Sequence, residues 1–216
     1  MDSHIQKATM RFDSWAKTYG EDRISSWLKH YQCLALSRLN IGERTFFLDI
    51  GCGTGWAVRE VAKRLTEGKA CGVDISPKML EKAIAQSNRM RNVHFQIADS
   101  EALPYPNESF SSVLCTCSFH HYENPLRALS EMRRVMKKDG KLVIVDSARD
   151  ISLAIWLQDR WRRYLEKSHM QYYTTSEMKS LILTAHLKLD QDIIKIKQFL
   201  DHGKVFTGLM LIECTK

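Results

Sequence analysis

The sequence predicts an α/β protein: an open, mostly parallel, seven-stranded sheet with helices on both faces and an antiparallel hairpin at its C-terminal end. Three observations carry this reading. The apolar run Phe46-Phe47-Leu48 ends in Asp49 and then in three glycines at alternate positions, Gly51, Gly53 and Gly55, before a helical pattern that puts Ala57, Val58, Val61, Ala62 and Leu65 on one face. Two further β-like runs end in single acids, Asp74 and Asp99. Two last β runs, residues 193–197 and 205–212, flank the short segment Asp201-His202-Gly203-Lys204, which reads as a hairpin turn.

Strand, glycine turn and helix together form the nucleotide-binding arrangement of an open, Rossmann-like sheet. Gly51 and Gly53 let a ligand approach the backbone without a Cβ in the way. The unpaired N–H groups of the first helical turn point at that ligand and favour negative charge. The spacing is G-x-G-x-G, with Cys52 inside the bend and Trp56 where a dinucleotide fingerprint wants a glycine; no P-loop string occurs.

Residues 10–20 and 23–39 precede this unit. Ile24, Trp27, Leu28, Tyr31, Leu34 or Ala35, and Leu39 recur at helical spacing, so both segments read as helices that cover the sheet. After the first helix of the unit, residues 69–74 read as the second strand. Asp74 ends it, 19 positions beyond Gly55, where an acid is placed to accept hydrogen bonds from ribose hydroxyls. The alternative, a helix cap, is already supplied by Ser76 as N-cap with Pro77 at the first helical position. Met79 on that helix lies either along a nucleoside or in the core.

Residues 93–99 form the third strand, and Leu103-Pro104-Tyr105-Pro106 is a loop, because two prolines do not fit a central ladder. Residues 112–118 form the fourth strand, with Phe119-His120-His121-Tyr122 at its end and Asn124-Pro125 opening a helix. Lys137-Lys138-Asp139-Gly140-Lys141 reads as a turn, and residues 142–146 as the fifth strand. Residues 151–168 read as an amphipathic helix with Leu153, Leu157, Trp161 and Tyr164 or Leu165 on one face. Thr174 and Glu177 form a capping box for the next helix.

The 216 residues and 44% hydrophobic content suffice for one core, so residues 1–216 are expected to form a single domain with an N-terminal helical cap over 1–40. No apolar run approaches a membrane span and the N-terminal residues carry no apolar signal region, which points to the cytoplasm. The six cysteines show no zinc spacing and read as reduced thiols, and no residue is assigned to a metal. A net charge of +7 permits an anionic partner without requiring one, and nucleic acid is not favoured.

Positions 48–55 resemble the first motif of the class I S-adenosylmethionine (SAM)-dependent methyltransferases at all eight positions. Phe12-Asp13-x-x-Ala16-x-x-Tyr19 is similar to the N-terminal segment of the ubiquinone/menaquinone-type group, which implies that Tyr19 lines the cofactor entrance. Ser76-Pro77-x-Met79-Leu80 and Ala98-Asp99-Ser100-Glu101-x-Leu103-Pro104 follow the same group. His120-His121-x-x-Asn124-Pro125-x-x-Ala128-Leu129-x-Glu131-x-x-Arg134-Val135 resembles the type 11 small-molecule methyltransferases. The usual acid before the fourth strand is replaced by Ser111.

The resemblance implies that the glycine bend binds the methionyl end of SAM, that Asp74 holds ribose, and that Asp99 with Ser100 holds adenine. It also implies that Asp49, Ile75, Cys117 and Ser118 belong to the cofactor shell. Either His120 or His121 is a candidate general base, or each instead satisfies a loop backbone group. Residues 147–186 are expected to form the substrate side, where Trp156, Trp161, Tyr172 and Tyr173 would suit an apolar or aromatic small-molecule acceptor. The rival readings are a tRNA, rRNA or protein methyltransferase, and a SAM-binding protein without turnover.

Overall fold

The computed structural model describes residues 3–20, 23–166, 168–199 and 206–216. Five parallel strands form the body of the sheet: β1 (Phe46–Ile50), β2 (Lys69–Asp74), β3 (Val93–Ile97), β4 (Phe110–Thr116) and β5 (Met136–Ser147). The last three strands, β6 (Lys188–Leu189), β7 (Ile194–Phe199) and β8 (Phe206–Thr215), are antiparallel to the strands they pair with. The order is β3-β2-β1-β4-β5-β8-β6, with β7 also on β8. The expected seven strands become eight because β6 and β7 each take part of one edge of β8. The expected turn between the last two strands falls at residues 201–204, outside the described residues.

Helices α1 (Ser3–Trp15), α2 (Arg23–Leu36), α3 (Trp56–Ala62), α4 (Pro77–Ala85), α5 (Pro125–Val135), α6 (Leu153–Leu165) and α7 (Thr175–Thr184) connect and cover the strands. Alternation along the strands feeds two cores. Leu48, Ile50, Val113 and Cys115 face Leu129, Met132 and Val135 of α5 and Met178 and Ile182 of α7. Phe47, Leu114, Val143 and Val145 face Tyr31 and Ala35 of α2 and Ala57, Val58 and Val61 of α3. Both faces are buried, so the strands read as near-continuous apolar runs.

Several local expectations meet their partners. Ser76 accepts a hydrogen bond from the Met79 N–H with Pro77 following it, Asn124 caps α5 ahead of Pro125, and Thr174 and Glu177 complete a capping box. Ser111, standing where an acid was expected, accepts from the Phe46 N–H at 3.1 Å and donates to the Phe46 carbonyl at 3.2 Å. It thereby joins the starts of β1 and β4. The six cysteines are free thiols.

Two expectations change. The lysine-rich segment 137–141 is no separate turn. Phe110 pairs with Met136 and Ser112 with Lys141, so the intervening residues form an irregular bulge inside β5. The apolar stripe of α6 also does not pack inward. Leu153, Leu157, Trp161, Tyr164 and Leu165 are exposed, Tyr164 by 88%, as is Trp156, while Ile155 and Asp159 make the buried side. Gly208 explains which side faces in: a Cβ there would lie 2.3 Å from the Ile155 Cδ1, so the helix rests on a glycine of β8.

Ile155→Ala is expected to cost about 2–4 kcal/mol in denaturant unfolding, whereas Trp161→Ser on the same helix should change stability by no more than about 0.5 kcal/mol. Equal losses would contradict this orientation of α6.

Candidate functional site

The chain leaves β3 and returns on the other side of β1, so the strand order reverses between β1 and β4. A crevice at the carboxyl ends of strands forms at such a switch point. The bend after β1 is held from below, where the Gly51 and Cys52 N–H groups both donate to the Val73 carbonyl at 2.9 and 3.0 Å. Gly51 has φ 72°, and a Cβ on it would lie 2.5 Å from the Ser118 Oγ, so only glycine admits the tip of β4 beside the bend. Gly53 has φ 52° and opens into the cleft, the Tyr19 hydroxyl lying 3.8 Å from where its Cβ would stand.

Asp74, at the tip of β2, is buried. Its Oδ2 accepts from the Gly53 N–H at 2.8 Å and its Oδ1 from the Ser76 N–H at 2.9 Å. Each oxygen keeps a further lone pair for a ligand. Burial pushes the Asp74 pKa above the usual carboxylate range, and the backbone donors oppose that rise. Asp99 accepts from the Glu101 N–H at 2.9 Å, which folds the third strand tip into an Asx turn beside Ser100. Cys117, at the end of β4, adopts φ 52°, uncommon for a non-glycine residue, with its N–H donating to Val145.

One cleft collects most of the expected site residues: Tyr19, Gly51, Cys52, Gly53, Asp74, Ile75, Met79, Asp99, Ser100, Cys117, Ser118 and His121. Its volume is about 290 Å³, at the lower end of the roughly 300–1,000 Å³ usual for a small-molecule pocket. Gly55 stands apart from the wall because it packs against Phe95 at the start of α3. Asp49 lies beneath the bend, and His120 also stays off the wall.

The aromatics expected on the substrate side do not reach the cleft. Tyr172 and Tyr173 are buried elsewhere, and Trp156 and Trp161 are exposed. The cleft is lined on that side by the opposite end of the chain: His4, Ile5, Ala8 and Phe12 of α1, and Leu28 and Gln32 of α2. The spacing of Ile5, Ala8 and Phe12 along one helical face is the signal that would have found them. Asp13 anchors this wall, accepting from the Ser76 Oγ at 2.5 Å and from the Lys78 N–H at 3.2 Å.

The two histidines after β4 part company. His120 is buried; its backbone N–H donates to the Asp146 Oδ2 at 3.1 Å, and its Nδ1 lies 2.7 Å from the Asp146 Oδ1. His121 lines the cleft, its Nδ1 donating to the Ser168 carbonyl at 2.7 Å. Burial, and then the adjacent His120, hold its pKa well below the ordinary histidine value, so the imidazole is neutral at pH 7.

These elements define a class: an α/β fold whose glycine bend and strand-tip acids face one nucleoside-sized cleft at the switch point. A family model described as a methyltransferase domain matches residues 48–144. The chain is 30% identical over 193 residues to the uncharacterized methyltransferase YcgJ of Bacillus subtilis, spanning 88% of this chain and 72% of that protein. The crystal structure of YcgJ matches with a TM-score of 0.72 over 87% of this chain and 98% of that one, at 22% identity. A demethylmenaquinone methyltransferase of Tropheryma whipplei is 30% identical over 146 residues, 66% of this chain and 60% of that protein. The chain belongs to this methyltransferase family and is a SAM-dependent methyltransferase. Among the described residues, no helix is long and apolar enough to cross a membrane.

Asp49 yields a test. Both its carboxyl oxygens are buried without a hydrogen-bond partner, and burial, with the Asp74 charge adding, raises its pKa to about 8. The ordinary value in an unfolded chain is about 3.9. Between those two values the folded chain holds a proton that the unfolded chain has released, so this residue's contribution falls as pH rises. The stability of the protein relative to Asp49→Asn is therefore expected to decline steadily between about pH 5 and pH 8 in urea unfolding. A difference that stays flat across that range would contradict a protonated Asp49.

Proposed function

We propose that the protein transfers the methyl group of SAM in line to a small-molecule acceptor held under the N-terminal helices. The observation that carries this reading is the apolar wall of Ile5, Ala8, Phe12 and Leu28, which shares one cleft with the glycine bend and the strand-tip acids. SAM fits the residues on two counts. Gly53 presents open backbone at the bend, and the tips of β2 and β3 offer acids where a nucleoside would lie.

In this reading, Gly51, Cys52 and Gly53 hold the amino-acid tail. Asp74 holds the ribose diol, with Ile75 and Met79 along the sugar and base. Asp99 accepts from the adenine amine beside Ser100, Tyr19 closes the entrance, and Cys117 and Ser118 flank the methyl side. Asp49 supports the bend from beneath.

The sulfonium of the bound cofactor supplies an already activated methyl group. The chain's own task is to align the acceptor and exclude water, and proximity can carry most of the acceleration. His121 is neutral and lines the wall with its Nδ1 held by the Ser168 carbonyl; His120 is locked onto Asp146 behind it. An apolar acceptor suits the α1 and α2 wall, and the relatives named demethylmenaquinone methyltransferases are in keeping with that class.

Calorimetry should detect binding of SAM and of its demethylated product, and no binding of NAD. Asp74→Ala is expected to weaken SAM binding by about 1–3 kcal/mol, roughly five- to 150-fold, through loss of a charge-assisted hydrogen bond. Unchanged affinity in a folded variant would remove Asp74 from the site. With radiolabelled SAM and cell extract, label is expected in extractable small molecules; label confined to RNA or protein would overturn the acceptor assignment.

A further inference from the structure

We propose that His120, His121 and His169 form a binding site for one transition-metal dication of the zinc class, set behind the His121 wall of the cleft. The three residues come from two distant stretches, the 3-10 turn after β4 (Phe119–His121) and the segment between α6 and α7. One ring nitrogen from each lies within 4.8 Å of those of the other two. The ring centroids are 4.0, 5.4 and 6.2 Å apart.

What separates this cluster from three core histidines is how each ring is held. The His120 Nδ1 lies 2.7 Å from the Asp146 Oδ1, the His121 Nδ1 2.7 Å from the Ser168 carbonyl, and the His169 Nε2 2.9 Å from the Asp159 Oδ1. Each partner is an acceptor, so the ring nitrogen facing it carries the proton. The tautomers are thereby fixed, and three lone pairs remain, on His120 Nε2, His121 Nε2 and His169 Nδ1. The last is buried with no hydrogen-bond partner.

Metal-bound histidines are held in this way, the second ring nitrogen donating to a carboxylate or a backbone carbonyl. Asp159 is itself anchored by the Tyr172 N–H at 2.6 Å and by Arg163 at 2.6 Å; Asp146 accepts from the backbone N–H groups of His120 and Ser147. Three imidazoles favour zinc, copper, nickel or iron over magnesium or calcium, and three protein ligands leave a coordination position open. Tetrahedral ligation at about 2.0–2.1 Å requires the nitrogens to approach to about 3.4 Å, closer than the 4.8 Å within which they now lie. An ion here would tie the 3-10 turn to the segment leading to Tyr172 and Tyr173. Only His121 among the ligands touches the cleft, so the ion would lie behind that ring. Sequence spacing conceals the set, because His169 stands 48 positions beyond His121.

The test uses the untagged full chain, stripped with chelator and titrated with Co²⁺, whose visible ligand-field bands report coordination, followed by Zn²⁺. One Co²⁺ per chain with a tetrahedral-type spectrum, displaced by one equivalent of Zn²⁺ that also raises Tm, is the expected result. His121→Asn and His169→Gln, each checked for folding by circular dichroism, should lower Co²⁺ affinity at least a hundredfold, and Asp159→Asn about ten- to hundredfold. Absence of stoichiometric binding by the unmodified protein would overturn the proposal, as would affinity unmoved in a folded His121→Asn variant. Metal binding is read without SAM, so its failure would leave the methyltransferase assignment standing.

Discussion

The Asp74 carboxylate fixes the distance on which the rest of the site depends. One oxygen receives the Gly53 N–H and the other the Ser76 N–H, so a single side chain pins the glycine bend of β1 to the tip of β2 and the start of α4. Hydrogen bonds to an ionised acceptor are about twice as strong as neutral ones, and here they offset the burial of a charge. The connection continues outward. Ser76 donates to Asp13, and Asp13 holds α1 over the cleft. The cofactor side and the wall opposite it are thus registered through one chain of polar contacts.

Beneath that clamp sits Asp49, fully buried and unpartnered. Burial first, and then the charge of Asp74, raise its pKa to about 8. A buried group of this kind is costly to the fold, which places it with the strained positions that sites tend to collect. Cys117, with its left-handed backbone at the tip of β4, is another.

Most of the sheet was legible because its signals are local. Phe46-Phe47-Leu48 followed by spaced glycines, Ser76-Pro77, Asn124-Pro125 and the Thr174–Glu177 box each determine their own neighbourhood, and each forms as expected. The failures are failures of partner. Periodicity shows that α6 has an apolar face, but not that a glycine on β8 would accept the Ile155 side and leave Trp161 and Tyr164 in solvent. The apolar side of the cleft comes from α1 and α2 rather than from residues 147–186, since a helix pattern does not say which end of a sheet it covers. His120 and His121 were equivalent by spacing and became distinct only through Asp146 and Ser168, contacts made across 26 and 47 positions. The bulge at 137–140 has the composition of a turn, and only its pairing with β4 distinguishes the two.

The most direct measurement is a crystal structure of the protein with S-adenosylhomocysteine. The account predicts the amino-acid tail against Gly51 and Gly53, the ribose hydroxyls within hydrogen-bond distance of the Asp74 carboxylate, and the adenine beside Asp99 and Ser100. A nucleoside bound away from the tips of β2 and β3, with nothing at the glycine bend, would contradict it.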